Sequence, residues 1–551
     1  MKKLLGTLVL GITCLALPAS AATPKSALPA PADTCTGTYP AYWQDIDPKF
    51  AEMWQGQLIT NAPTAAYSGP VFRLSDAYPR QAVDDKASQP WRAAKFDEMF
   101  NPAISQEKKA KLALEYGQLV YDYALAGNTN QPGQTDFDVC KNPVRPWFHM
   151  PFQTYDASAG REFIHGLTRE APVTFSTKSG TGTASTTMWA VGIYNATAAH
   201  TLGKIWQADG TPKIPTANIS FDEGAVIAKP LFNTGTLDQF PILANLPAWK
   251  ANISDPSFCK CKPADGNECT LVEQSQQCRR SYAQWSEVKL LQFDIAVRDS
   301  RAQATGWVYG TFVADGRRKA KLKDAWRRMS LLGLMWGNDT PPAGQYAHNY
   351  PPNPRKNGFK EEVIFWDTVD ELNSFGGSAV MQQMGHLGSN FRLNGPADNA
   401  NGSCMSCHGT ASVPDSKLDT PPIMAQFSKT AMTPQSASPF IGMLTKGMDR
   451  SGSSASVQNN VPFTSVDAVY FANVMAGASF DMTAKTPGGN VNLMGNGSPS
   501  YATPAQTTWI SLDYSLQMSQ SLNQWMQWQA HRKAATAPTS RKVVKGLRRN
   551  Q

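Results

Sequence analysis

The sequence predicts an α+β protein assembled from a helical N-terminal segment, an antiparallel β-sandwich-like module and a mainly α-helical C-terminal domain. Three observations carry that expectation. Residues 105–126 keep a helical period between a capping Ser105 and a Gly127-Asn128 stop. Between residues 187 and 313 the period changes to two, most cleanly where Leu291, Phe293, Ile295 and Val297 alternate with Gln292, Asp294 and Arg298. Near the end, Trp509, Leu512, Leu516, Ser519, Leu522 and Met526 return to helical spacing.

The chain begins Met1-Lys2-Lys3, runs apolar through Leu17 and reaches Pro18-Ala19-Ser20-Ala21-Ala22. A basic start, a short apolar segment and small residues at an A-x-A site read as a signal peptide over residues 1–21, cleaved after Ala21 and taking Cys14 with it. No later stretch is long and apolar enough to span a bilayer. The expected mature protein is therefore periplasmic or secreted and not membrane-spanning. The net charge of +8 is concentrated at the ends: two lysines sit in the leader, and seven Lys or Arg follow His531 with no acid among them. The body between is close to neutral, which gives no basis for a nucleic-acid partner, and residues 534–551 read as a solvated, disordered basic tail.

At 551 residues the chain is too long for one small core. A leader rich in Ala and Pro and a helical segment occupy residues 22–145. The helix over 105–126 places Leu112, Tyr116, Leu119 and Tyr123 on one face, as core. The β-rich module is expected over residues 146–345. Thr187 to Tyr194, Ile205-Trp206, Ala225 to Ala228, Leu291 to Val297 and Trp307 to Val313 read as its strands. Strands that alternate this cleanly bury one side only, which favours antiparallel pairing. Just ahead of them, Gly160 to Glu170 packs two Arg, two Glu and a His around an apolar centre. That cluster reads as an internal salt-bridge network docking a helix, with an anion or substrate pocket as the alternative. The Pro-, Gly-, Asn- and Tyr-rich run from Thr340 to Lys356 marks a boundary, and the last folded domain is expected over residues 346–533.

Six cysteines of the expected mature chain, Cys35, Cys140, Cys259, Cys261, Cys269 and Cys278, form an even set suited to disulfides in an oxidising compartment. Spacing does not reveal their pairing. The remaining two carry chemistry. Cys404, Met405, Ser406, Cys407 and His408 spell C-x-x-C-H, the attachment signature of a c-type haem. Cysteines three apart on one helical turn project to the same side, so both thiols can form thioethers with one porphyrin while the adjacent imidazole reaches the iron. The expected cofactor is one covalently bound haem c, with Cys404 and Cys407 as attachment residues and His408 as the proximal iron ligand.

These five residues make the region resemble bacterial periplasmic c-type cytochromes, a resemblance that covers about a third of the chain. Together with His165 to Glu170, Met335 to Asp339 and Arg392-Leu393-Asn394-Gly395-Pro396, it extends more loosely to uncharacterised bacterial cytochrome c family proteins with a β-rich N-terminal module. The resemblance implies a cytochrome c-like haem domain and carries over Cys404, Cys407 and His408 alone. The second axial ligand stays open among Met443, Met448, Met475, Met424 and the upstream His386. The leading expectation is a monohaem single-electron carrier that works with a redox partner protein and is more an electron carrier than a catalyst. The alternatives are a haem enzyme or gas-binding sensor with an open distal site, and a β-module protein that binds a small-molecule ligand with the haem ancillary.

Overall fold

The computed structural model of the chain describes residues 72, 75–129, 137, 142–153, 165–176, 183–238, 240–251, 286–337, 339, 351–374, 386–388, 391–398, 403–409, 411–414, 483–486, 489–492, 509–522 and 525. Their architecture is α+β, as the alternating and helical periods require: a nine-stranded antiparallel sheet with helices around it. The expected signal peptide, the six cysteines assigned to disulfides and the basic tail lie outside these residues.

Helix α1 spans Gln106–Leu125. Ser105 opens it by accepting from the Lys108 amide at 3.3 Å, and Gly127 follows its end with a φ of 79° that suits a residue without Cβ. Tyr116 and Tyr123 are buried as expected, while Leu112 and Leu119 flank the contact half-buried. The centre of the buried stripe is Ala113, Gly117, Val120 and Tyr121 instead. A Cβ on Gly117 would stand 2.8 Å from Leu331 Cδ2, so the missing side chain is what lets the helix approach the sheet closely.

The strands are β1 (Thr168–Ser176), β2 (Thr183–Ala190), β3 (Ile193–Tyr194), then helix α2 (Ala196–Ile205), β4 (Val226–Asn233), β5 (Ala248–Ala251), β6 (Ser286–Arg298), β7 (Trp307–Ala314), β8 (Met329–Met335), the one-turn helix α3 (Pro354–Asn357), β9 (Glu362–Ile364) and helix α4 (Trp366–Ser374). The order across the sheet is β1-β2-β4-β6-β7-β8-β9, with β3 also beside β4 and β5 also beside β6. The strand expected from Thr187 to Tyr194 is thus broken at Val191-Gly192, and Pro230 explains the break. Its carbonyl accepts from Val191 at 3.3 Å, so its amide position faces the same neighbour, where a proline has no hydrogen to give. The ladder resumes on either side of it, Ala190 beside Leu231 and Ile193 beside Ala228.

Two expectations are corrected. Ile205-Trp206 is not a strand: Ile205 ends α2, and Trp206 makes only an isolated bridge to Pro212. The alanines of Ala196-Thr197-Ala198-Ala199 and the Asn195 side chain, which accepts from Ala198 at 2.9 Å, set a helix there. Among the described residues the module is a single large sheet and not a sandwich, because α1 supplies the cover that a second sheet would have given.

Register divides β6 and β7 as the alternation requires. Phe293 pairs with Phe312 and Ile295 with Gly310 on one face; Asp294 pairs with Thr311, Ala296 with Tyr309 and Arg298 with Trp307 on the other. The apolar face packs on α1, where the Tyr121 ring stacks on Phe312 at 4.3 Å and meets Phe293 edge-on at 4.9 Å. The polar face carries the site.

Candidate functional site

The C-x-x-C-H pentad forms the short helix α5 (Cys404–His408), laid across the polar face of β6 and β7. Its approach is fixed one bond at a time. Leu393 donates its amide to Glu362 on β9, and its carbonyl accepts from the Cys404 amide at 3.0 Å. Between them, Gly395 sits on the Gln292 side chain so tightly that no Cβ fits. Gln292 is fully buried and uses both ends of its amide. Its oxygen accepts from Ala397 at 3.0 Å, while its nitrogen donates to Asp398 at 2.8 Å and to the Asp294 carboxyl oxygens at 2.8 and 2.9 Å. Thr311 donates to Asp294 at 2.9 Å and stands 4.0 Å from the Cys404 thiol.

The chain leaves the pentad equally tied. Strand β10 (Ser412–Pro414) pairs with a distant segment, Trp509–Ser511, and Ala411 accepts from Leu512 at 2.9 Å. A separate pair, β11 (Thr483–Thr486) with β12 (Gly489–Asn492), precedes that segment in the chain, which makes Trp509–Ser511 β13. Here the sequence expectation of a helix from Trp509 is corrected. Helix occupies 516–522, and a turn at Asp513-Tyr514 separates it from β13. Both turn residues have positive φ, 49° and 65°, a conformation a tyrosine adopts at a cost of about 1–3 kcal/mol. The Asp513 carboxylate holds them there. It accepts from Phe221 at 2.7 Å and from the Trp307 indole at 3.2 Å, and it faces Arg298 at 3.5 Å.

What that turn presents to the pentad is the Tyr514 carbonyl. It lies 2.9 Å from His408 Nδ1. A carbonyl only accepts, so Nδ1 carries the proton and Nε2 keeps its lone pair, with no hydrogen bond to Nε2 among the described residues. Burial pushes the His408 pKa down to about 4, the Tyr514 carbonyl opposes that shift, and Lys229 on β4 adds to it; at neutral pH the ring is an uncharged donor at one nitrogen and a free base at the other. Cys404 is half-buried and makes no disulfide. Burial, with the nearby Asp398 and Asp294 charges, pushes its thiol well above the ordinary value. Burial first, then the Asp398 charge, likewise holds the Asp294 carboxyl far above the usual carboxylate range.

Of the residues expected at the site, Cys404 and His408 share one helical turn that also includes Cys407, whose side chain lies outside the described residues. His386 is buried beside the Leu387–Leu393 bridge that leads into the same approach segment. Met424, Met443, Met448 and Met475 lie outside the described residues. Sequence reasoning missed Gln292, Asp294, Thr311, Tyr309 and Tyr514. The first two were visible as the polar alternates of β6, yet alternation alone says only that a face is polar.

Comparison of the chain with protein-family models, with characterised proteins and with solved structures finds no match in any of the three. Among the described residues no helix is long and apolar enough to cross a membrane.

Proposed function

We propose that the chain is a c-type cytochrome carrying one haem c, exported from the cytoplasm and passing single electrons to or from a redox partner protein. Cys404 and Cys407 would hold the porphyrin as thioethers and His408 would be the proximal ligand; the iron supplies the one-electron couple. The observation that carries this reading is the tautomer of His408. A metal-ligating imidazole donates its other N–H to a carbonyl or carboxylate, which fixes the ring and frees the second nitrogen. Tyr514 accepts that donation here, and burial keeps the free nitrogen unprotonated at neutral pH. The short helix and the rigid floor of Gln292, Asp294 and Thr311 suit a group that must be held at a fixed angle to the sheet.

The test is expression of the full chain in a bacterium able to mature c-type cytochromes. The expected product has the mass of the cleaved polypeptide plus one haem and a pyridine haemochrome spectrum of the thioether-linked kind, and Cys404→Ser with Cys407→Ser abolishes both. Colourless protein of unmodified mass would end the reading. Carbon monoxide added to the ferrous protein separates the carrier from the sensor or enzyme: a carrier with two strong axial ligands binds it slowly or not at all.

A further inference from the structure

The Tyr514 carbonyl receives three donors, one of them the Leu516 amide at 3.1 Å. His408 Nδ1 is 2.9 Å away and the Tyr309 hydroxyl 3.0 Å away. Tyr309 comes from β7, the strand that also carries Thr311, and its ring lies against the imidazole with centroids 4.6 Å apart and planes at 45°. The phenol is buried at 5% exposure, and its removal from water, with Asp513 nearby, raises its pKa well above 10; it is a fixed donor. The acceptor cannot retreat from either partner, because the Asp513 carboxylate pins the turn that bears it.

We propose that Tyr309 is a positioning residue for His408: its ring sets the plane of the imidazole, and its hydroxyl, by sharing the Tyr514 carbonyl, weakens the Nδ1–H donation and so limits the electron density His408 delivers to iron. The inference rests on the haem reading above. A carbonyl oxygen has two lone pairs, so the Leu516 amide, the Tyr309 hydroxyl and His408 Nδ1 must share them, and each draws on the same negative charge. A histidine whose N–H is strongly accepted is a more basic ligand, and a more basic ligand favours the ferric state. Tyr309 therefore holds the reduction potential above the value that Tyr514 alone would set.

The experiment is spectroelectrochemical titration of the haem-loaded full chain, wild type against Tyr309→Phe, which keeps the ring and removes the hydroxyl. The midpoint is expected to fall by a shift equivalent to about threefold to tenfold in the redox equilibrium, roughly 30 to 60 mV. Tyr116→Phe, which removes a buried hydroxyl bound to Asp299 instead, should leave it unchanged. Tyr309→Leu removes the ring as well and should also alter the spread of the ferric EPR g-values, which Tyr309→Phe preserves. In the haem-free chain, the His408 Nδ1 proton resonance should move downfield in Tyr309→Phe as its hydrogen bond tightens. An unchanged or raised midpoint in Tyr309→Phe, with haem present, overturns the proposal and leaves the cytochrome reading standing. Absence of haem from the wild type overturns both, and an unmoved Nδ1 proton overturns the shared carbonyl by itself.

Discussion

Phe293, Ile295 and Phe312 on one side of β6 and β7 meet α1; Gln292, Asp294, Tyr309 and Thr311 on the other meet the approach to the pentad and the turn at Asp513-Tyr514. The first contact is made of area and shape. Tyr121 fills a gap between two phenylalanine rings, and between those rings it is volume and ring shape that count, its hydroxyl reaching past them to the Trp326 carbonyl. The second is made of directed bonds, each between residues remote in sequence: Gln292 with Ala397 and Asp398, His408 and Tyr309 with Tyr514. A dry contact holds an element near the sheet. A hydrogen-bonded one fixes which nitrogen of a ring points where, and that is what a ligand site needs.

Replacing Tyr121 by Ala should have the largest effect on stability, about 4 kcal/mol, because it opens a cavity between Phe293 and Phe312 and leaves the Trp326 carbonyl without its phenol donor. Urea unfolding should show that loss in the haem-free chain while His408 keeps its tautomer in the residual native state. If the imidazole loses its orientation too, the two faces are not separable.

Gln292→Leu probes the polar side at nearly constant volume. It strands the Ala397 amide and removes the amide that bridges Asp294 and Asp398, for a loss of about 2–3 kcal/mol. Hydrogen exchange should rise selectively across 391–409 and leave α1 protected. Equal exposure of α1 would mean that the sheet, and not its polar cover, had failed.

The smallest expected effect concerns pH. His408 in the haem-free chain has its pKa lowered from the ordinary 6.5 to about 4, so it contributes stability that is present above pH 6.5 and is lost as the pH falls through 4. Allowing for its partial exposure, the wild type should lose roughly 2 kcal/mol over that window relative to His408→Gln. Asp294, raised by burial, acts with the opposite sign: its contribution is present in acid and is lost as the pH rises through its folded value. Unfolding free energies measured from pH 4 to 8 check both, and a difference between wild type and His408→Gln that does not vary with pH would remove the argument for a buried neutral imidazole.

The helix Gln106–Leu125 was legible to within a residue because its cap, its period and its stop are all local. The alternation of β6 gave the correct two faces for the same reason. The helix Ala196–Ile205 was hidden by reading Ile205-Trp206 as apolar strand, when a capping Asn195 and three alanines just upstream were the stronger signal. At the other end, Trp509 to Met526 has helical spacing throughout, yet its first three residues pair with Ser412–Pro414. A partner nearly a hundred residues away outweighed the local period there, and the turn that receives His408 exists only because it did.

By itself the sequence determined the parts: a capped helix, half-polar strands, and two thiols and an imidazole at the spacing one porphyrin requires. Those are consequences of backbone period and side-chain chemistry within a few residues. The tertiary structure decided which imidazole nitrogen carries the proton, because that depends on a carbonyl 106 residues along the chain, held in a strained turn by an aspartate bound to β7 and shared with a tyrosine of that strand. A tautomer is set by the acceptor that reaches the ring, and no local pattern encodes where that acceptor comes from.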